Sequence, residues 1–88
     1  MPPQMDKSIY SKHQEQLQSL LREIRQEAGL KQADLAKRLK QPQSFVSKYE
    51  SGERCLDFLE IRQVCLAVGI SPMKFVQRFE ENIKQELS

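Results

Sequence analysis

The part of the chain best suited to chemistry is a run of hydroxyl and basic side chains near its middle. Val46 and Tyr49 are three residues apart, which places both on one face of a helix. The opposite face then presents small polar groups and one ammonium, from Ser44, Ser47, Lys48 and Ser51. Such a face offers hydrogen-bond donors and acceptors with little bulk. It is therefore suited to a nucleic-acid groove.

A preceding helix would hold this polar helix in place. Leu35, Ala36 and Leu39 share one face of a shorter helix just upstream, and a tight break separates the two. Residues 31–54, which contain both helices, carry a net charge of +3, whereas the whole chain carries +2. A local positive excess is the electrostatic signature of phosphate contact, although an ordinary solvated face can carry the same charge.

Composition limits the possible functions further. The 88 residues suffice for one domain, and 39% hydrophobic with 30% charged residues indicates a folded, soluble protein. No apolar run approaches the ~20 residues that cross a bilayer, and no signal peptide opens the chain, so we expect a cytoplasmic protein. Residues 1–10 are predicted to be a flexible leader and residues 11–88 a single domain.

Helix boundary signals divide that domain into five helices. The first is expected from about Ser11 to Ala28, with Gly29 as its left-handed cap. A capping box of Asp57 and Glu60 starts a fourth helix. Its predicted apolar stripe is Phe58, Ile61, Cys65 and Val68, with Leu66 beside it.

The fifth helix is predicted over residues 71–87. Ser71 caps it and Pro72 occupies its first turn. Its apolar stripe extends almost to the C-terminus and comprises Phe75, Val76, Phe79, Ile83 and Leu87. Because no strand-like alternation appears anywhere, the fold class is all-α.

The central segment resembles the helix-turn-helix of the Cro and lambda-repressor type, the Xre-like family. The resemblance rests on Gln32, Ala33, Leu35, Ala36, Leu39, Gln43, Ser44, Val46, Ser47, Lys48, Glu50 and Gly52. It implies a five-helix lambda-repressor-like domain with an extended C-terminal helix, in which residues 32–51 form the helix-turn-helix unit. The order and spacing of all five helices agree with that family.

The resemblance also implies roles for individual residues. The positions that face base edges in the family are occupied here by Gln43, Ser44, Ser47 and Lys48. Gln43 can pair with adenine, and Lys48 can donate to guanine. Phosphate contacts are expected from Gln32, Lys40, Ser51 and Arg54. The plainer alternatives are an ordinary polar helix face and, for Gln32, a simple helix cap.

A structural ion pair and three departures complete the comparison with the family. Arg25 and Glu50 match a pair that ties the third helix to the first, with Arg22 as the alternate partner. Lys40 occupies a turn position that is commonly glycine, so it must adopt a positive φ or the turn must differ. Pro42 replaces a small capping residue. Phe45 is expected to pack on neighbouring helices, the alternative being contact with a thymine methyl.

The predicted function is that of a sequence-specific DNA-binding transcriptional regulator. The preferred version is a repressor that binds a palindromic operator in double-stranded DNA as a homodimer. Its dimer interface is expected at Phe75, Phe79, Ile83 and Leu87. The alternatives are an antitoxin or adaptor module that binds protein, and a controller or activator that contacts RNA polymerase.

Several other functions are not expected. No nucleophile–base set or paired carboxylates occur in a pocket-forming context, so we predict no enzyme activity, and no small-molecule ligand or cofactor. His13 is the only histidine and has no partner at ligand spacing, which argues against a metal site. Cys55 and Cys65 are expected to be reduced, and Cys55 is read as an incidental loop thiol rather than a redox sensor.

Overall fold

The chain folds into five helices joined by short connections. The computed structural model describes the backbone of residues 7–87 and the side chains of residues 11–85. The helices are α1 (Lys7–Glu27), α2 (Gln32–Arg38), α3 (Gln43–Ser51), α4 (Phe58–Val68) and α5 (Pro72–Leu87). Residues 7–87 contain no strand. The predicted all-α class is therefore confirmed.

The first helix is longer than predicted. It begins at Lys7, so residues 7–10, which were assigned to the flexible leader, belong to α1. The remainder of that leader, residues 1–6, lies outside the described residues. Helix ends carry weaker sequence signals than helix interiors, and boundaries inferred from sequence commonly shift by a few residues.

One core joins all five helices. α3 packs against α1 and α2, while α5 packs against α1 and α4. The buried hydrophobic residues are Leu20, Leu21, Ile24, Leu35, Ala36, Val46, Tyr49, Val64, Cys65 and Phe75. Each large apolar side chain of this kind contributes about 1.5–3 kcal/mol through removal from water. The polar helix α3 is thus held by its own buried face.

The predicted apolar stripe of α4 was partly wrong. Phe58 is 72% exposed, and Val64, which was not in the stripe, is buried beside Cys65. Side chains on a helix lean towards its N-terminus. Phe58 is the first residue of α4, so its ring projects beyond the edge of the core. The predicted capping box is present, because Glu60 N–H donates to Asp57 Oδ1 (2.7 Å) and Asp57 N–H donates to Glu60 Oε1 (2.9 Å).

The α5 stripe packs against the rest of the same chain. Phe75 is 3% exposed and belongs to the core, and Phe79 packs against that core as a half-buried residue. Phe75 therefore presents no surface to a second copy, which corrects its assignment to the dimer interface. Ile83 is half-buried as well, and the side chain of Leu87 lies outside the described residues. Val76, also placed in this stripe, is 46% exposed.

The turns that orient α3 use unusual backbone conformations. Lys40 has φ +56°, the first of the two alternatives that its position allowed. Pro42 is the N-cap of α3. At the other end, Gly52 has φ +91°, and a Cβ there would lie 2.9 Å from Gln18 Nε2. The positive φ is what favours glycine here, since the contact is with the far end of a flexible side chain.

None of the helices among the described residues combines the length and the apolar character needed to cross a membrane.

Candidate nucleic-acid interface

The candidate interface is the exposed face of α3. Val46 and Tyr49 are 0% and 1% exposed, so the helix is rotated as predicted. As a result, the four side chains predicted to contact base edges lie on the surface: Gln43, Ser44, Ser47 and Lys48. None of these four side chains hydrogen-bonds to another described residue. Their donors and acceptors are therefore free for a ligand on one face of one helix.

The N-terminus of α2 lies beside α3. Gln32 is the first residue of α2, and its Nε2 donates to Glu50 Oε1 at 3.1 Å. Its amide group carries a second hydrogen, which this contact leaves free. Asp34 accepts from the backbone N–H of Lys31 at 3.0 Å and caps the helix. Gln32 is thus a structural link to α3 that still retains a donor for a phosphate.

A buried ion pair connects α3 to α1. Arg25 Nε lies 2.7 Å from Glu50 Oε2, and Arg25 Nη2 lies 3.0 Å from Oε1, so the contact is bidentate. The Arg25 and Glu50 side chains are only 11% and 1% exposed. The hydrogen bonds that Arg25 donates to Glu50 raise the pKa of Arg25, against the opposing effect of its burial. The pair fixes α3 against the scaffold with a defined orientation.

Two further donors extend this contact into a network. Arg25 Nη1 donates to the carbonyl of Leu30 at 2.8 Å, which fixes the connection between α1 and α2. Arg22 Nη2 donates to the carbonyl of Glu50 at 3.1 Å, and its Nε lies 3.7 Å from Glu50 Oε1. Arg22 was expected as an alternate partner and instead acts together with Arg25. The network holds α1, α2 and α3 at a single junction.

Tyr49 and Phe45 pack behind the exposed face. Their rings meet edge to face, with centroids 5.6 Å apart and an interplanar angle of 76°. Phe45 contacts the core, in agreement with the preferred packing role. The Tyr49 hydroxyl is buried and has no hydrogen-bond partner among the described residues. Burial raises the pKa of this hydroxyl well above its ordinary value, so it stays neutral.

Two of the expected phosphate-contacting residues already have partners in the chain. The Arg54 guanidinium lies 4.9 Å from the centroid of the Phe45 ring, and Nη2 lies 2.5 Å from Glu60 Oε2. Ser51 Oγ donates to the carbonyl of Lys48 at 3.1 Å and accepts from Glu53 N–H at 3.5 Å. Sequence reasoning missed both arrangements. For the Arg54 contacts, the only sequence signal was the position of Glu60 in the capping box at the start of α4, six residues after Arg54.

Lys40 differs from Arg54 in being free. Its side chain is exposed in the turn between α2 and α3, and it makes no ion pair with any described residue. A lysine at positive φ is strained by roughly 1 kcal/mol relative to glycine. The chain thus places a flexible cation at the edge of the α3 face.

The described part of the chain contains no cluster of metal-type ligands, and it contains two free thiols. No group of three or more His, Cys, Asp or Glu side chains is placed to hold a metal ion. Cys55 is exposed and Cys65 is buried, and both are free thiols. Burial raises the pKa of the Cys65 thiol to about 11, which leaves it protonated and unreactive at neutral pH.

A short helix packed beneath a second helix that exposes its polar face defines a helix-turn-helix domain. A helix-turn-helix family model matches residues 21–75 of the chain. A solved structure of an XRE-family like protein from Pseudomonas syringae pv. tomato str. DC3000 is also similar. The two are 41% identical with a TM-score of 0.81, and the match covers 85% of this chain and 92% of that one. The comparison with curated proteins found no match.

These findings show that the chain belongs to the XRE family of helix-turn-helix proteins. This family consists of DNA-binding regulators and is typically non-enzymatic. The chain is therefore a DNA-binding transcriptional regulator in the general sense.

Proposed function

We propose that the protein is a cytoplasmic repressor that binds a palindromic operator in double-stranded DNA as a homodimer. The observation that carries the proposal is the exposed face of α3. It combines four polar side chains without partners in the described chain with a rigid support on α1 and α2. A rigid support favours binding, because the backbone of α3 does not have to be ordered on association.

The groups on α3 suggest how bases are read. Gln43 offers an amide that can pair with adenine N6 and N7, and Lys48 offers an ammonium for guanine O6 and N7. Ser44 and Ser47 can donate or accept, so they add contacts with little selectivity. Gln32 and Lys40 flank this face and are proposed to bind phosphates, which set the register of α3 in the groove.

Ser51 and Arg54 have a weaker claim to phosphate contact. Ser51 caps the end of α3, and Arg54 is shared between Phe45 and Glu60. To bind a phosphate, either residue would have to break a contact that it makes within the chain. We therefore propose that the phosphate contacts depend mainly on Gln32 and Lys40.

A homodimer follows from the size of the reading unit. One recognition helix covers only about half of an operator, and two copies about one DNA turn apart double the contacts. A two-fold arrangement of the protein then requires a palindromic site. Occupation of such a site by the dimer would block access to the DNA and thereby repress transcription.

Selection of bound sequences from a random DNA pool with the purified full chain tests the proposal. We expect a palindromic consensus, together with binding that weakens as salt increases because counterions are released from phosphates. If the selection yields no consensus sequence, the proposed sequence selectivity is contradicted. A consensus without palindromic symmetry would contradict binding as a two-fold dimer, but it would agree with a DNA-binding role.

Replacing Lys48 tests its assignment as a base reader. Lys48→Ala is expected to cost about 1–3 kcal/mol on the selected operator and to relax the preference at one position. Lys84→Ala, an exposed lysine on α5, is the matched control and should leave binding unchanged. Fluorescence anisotropy titrations on operator and random DNA separate the outcomes. An equal loss on both would make Lys48 a phosphate contact.

Replacing Lys40 tests whether strain is retained for binding. Lys40→Gly should raise the stability by roughly 1 kcal/mol, because glycine adopts φ +56° without strain. The same change should weaken binding to all DNA sequences similarly and make the salt dependence shallower. Urea unfolding and anisotropy titrations measure the two effects. Unchanged DNA affinity in a stabilised variant would exclude Lys40 from the interface.

A further inference from the structure

The loop between α3 and α4 carries an arginine whose charge is already matched within the chain. The Arg54 guanidinium lies 4.9 Å from the centroid of the Phe45 ring on α3, and its Nη2 lies 2.5 Å from Glu60 Oε2 on α4. The backbone N–H of Arg54 also donates to the carbonyl of Lys48 at 3.2 Å. Arg54 is therefore fixed through both its backbone and its side chain.

This arginine lies at the edge of the candidate DNA-binding face. Phe45 precedes Lys48 by three residues, so the two side chains are neighbours on the surface of α3. A cation above the Phe45 ring is consequently placed beside a residue proposed to read a base. The Arg54 side chain is 46% exposed, so a DNA phosphate could approach it directly if the carboxylate were not bound to it.

Glu60 is held in position by a second contact. Its Oε1 accepts from the backbone N–H of Asp57 at 2.9 Å in the capping box of α4, which leaves Oε2 for the arginine. The Asp57 N–H, and after it Arg54, lower the pKa of Glu60 below its ordinary value of 4.5, so the carboxylate is ionised at neutral pH. Most surface ion pairs are weak because two flexible side chains must be ordered. Here other contacts already order both partners, so this cost is smaller.

A carboxylate and a DNA phosphate are the same class of acceptor for a guanidinium. Both are anions whose paired oxygens accept charge-assisted N–H bonds. Glu60 thus satisfies Arg54 in the way that a backbone phosphate would. The positive excess of residues 31–54 includes Arg54, and Glu60 balances that charge from outside the segment. Lys40, in the turn before α3, has no such partner among the described residues.

We propose that Glu60 limits the DNA affinity of the protein by occupying Arg54 in place of a backbone phosphate. The inference rests on the proposed function only in that α3 and its borders bind DNA. Because phosphates carry no sequence information, the limit applies equally to operator and random DNA. Binding by the wild type then depends more on the base-reading side chains of α3 than it would with a free Arg54.

Two glutamate substitutions in the full chain test the proposal. Glu60→Gln keeps an oxygen for the Asp57 N–H, because glutamine also completes a capping box, but it removes the charge that holds Arg54. Glu53→Gln is the matched control, since Glu53 is exposed in the same loop and forms no ion pair with another described residue. Each substitution removes one negative charge, so the effect of net charge cancels from the comparison. Circular dichroism should show both variants folded.

Anisotropy titrations over a range of salt concentrations measure the effect. Glu60→Gln should bind both the selected operator and random DNA about tenfold more tightly than the wild type, because Arg54 gains a charged acceptor on the DNA. Its plot of log affinity against log salt should be steeper by about 0.9, the change expected for one more phosphate. Glu53→Gln should change the affinity about twofold at most and leave the slope unchanged, because an exposed charge is screened.

A double substitution identifies the source of the gain. Arg54→Gln/Glu60→Gln replaces the ion pair with two neutral side chains, so its affinity and its salt slope should return to within about twofold of the wild type. Retention of the gain in a folded double variant would overturn the proposal, because the gain would then not come from Arg54.

Failure of this proposal is distinguishable from failure of the proposed function. If the wild type binds DNA selectively and Glu60→Gln matches Glu53→Gln in affinity and salt slope, only the role of Glu60 is contradicted. If Glu60→Gln binds random DNA more tightly but no operator consensus is found, the role of Glu60 is supported and the proposed sequence selectivity is contradicted. If neither the wild type nor Glu60→Gln binds any DNA, both proposals are contradicted.

Discussion

Two bidentate arginine–glutamate pairs among the described residues connect α1 to other helices, with the same chemistry in opposite surroundings. Arg25 on α1 meets Glu50 on α3, where both side chains are buried. Arg78 on α5 meets Glu27 on α1, with Nη1–Oε1 at 2.8 Å and Nη2–Oε2 at 2.9 Å. The side chains of Arg78 and Glu27 are 35% and 58% exposed. Both contacts are bidentate, so geometry alone does not distinguish them.

The difference lies in what else each carboxylate supports. Glu50 also accepts from Gln32, and its backbone carbonyl accepts from Arg22, so three helices depend on it. Glu27 contacts Arg78 at the surface, where water can replace either partner. A buried pair gains little net stability when intact but leaves an uncompensated charge when it is broken. The buried pair is therefore a requirement for the orientation of α3, and the surface pair is not.

The largest expected effect comes from breaking the buried pair. Glu50→Ala should destabilise the domain by about 3–5 kcal/mol, because Arg25 is left buried without its counter-charge. Glu27→Ala is the matched control at the other pair, and it should leave the midpoint of urea unfolding almost unchanged. Urea titration followed by circular dichroism measures both variants.

A double substitution sharpens this comparison. Arg25→Met/Glu50→Leu removes both buried charges and supplies apolar side chains, so it should recover much of the stability that Glu50→Ala loses. Equal unfolding midpoints for Glu50→Ala and Glu27→Ala would show that burial does not separate the two pairs. A double variant no more stable than Glu50→Ala would show that the surrounding network, rather than the isolated charge, determines the cost.

An intermediate effect is expected from Gln32, which lies at the edge of the buried network. Gln32→Ala removes one hydrogen bond to Glu50 and should cost about 0.5–1.5 kcal/mol. If Gln32 also binds a phosphate, DNA affinity should fall similarly on operator and random sequences. Gln43→Ala is the control, because Gln43 has no such internal bond: stability should stay constant and binding should fall mainly on the operator. A stable Gln32→Ala variant with unchanged DNA affinity would remove both roles.

The two-helix unit was the part of the fold most accessible from sequence. The spacing of Leu35, Ala36, Val46 and Tyr49 determined which faces are buried, because helical periodicity relates neighbouring residues directly. The Arg25–Glu50 contact came instead from the family resemblance. No local pattern relates residues 25 positions apart, so spacing alone could not have indicated it.

Other features depended on where one element ends relative to another. Phe58 has the correct spacing for the α4 stripe, yet it is exposed because the core stops short of the first turn of α4. Arg54 was expected to contact phosphate. Its contacts with Phe45 and Glu60 arise from the path of the loop between α3 and α4, which sequence patterns do not describe.

The smallest expected effect is in the titration of the surface pair. In the folded protein, the hydrogen bonds that Arg78 donates to Glu27 lower the pKa of Glu27 below its ordinary value of 4.5. Because the folded state then binds a proton less readily than the unfolded state, the pair stabilises above pH 4.5. This contribution is lost as the pH falls from 4.5 through the lowered value.

Arg78→Ala should therefore raise the pKa of Glu27 towards 4.5, which carboxyl NMR titration can measure directly. Glu60 is the internal control: its pKa is lowered by the backbone N–H of Asp57 and by Arg54, neither of which involves Arg78, so it should not move. High salt should reduce the Glu27 shift in the wild type, because screening at 1 M acts over about 3 Å. An unchanged Glu27 pKa in Arg78→Ala would mean that the surface pair does not form in solution, and its likeness to Arg25–Glu50 would then be geometric only.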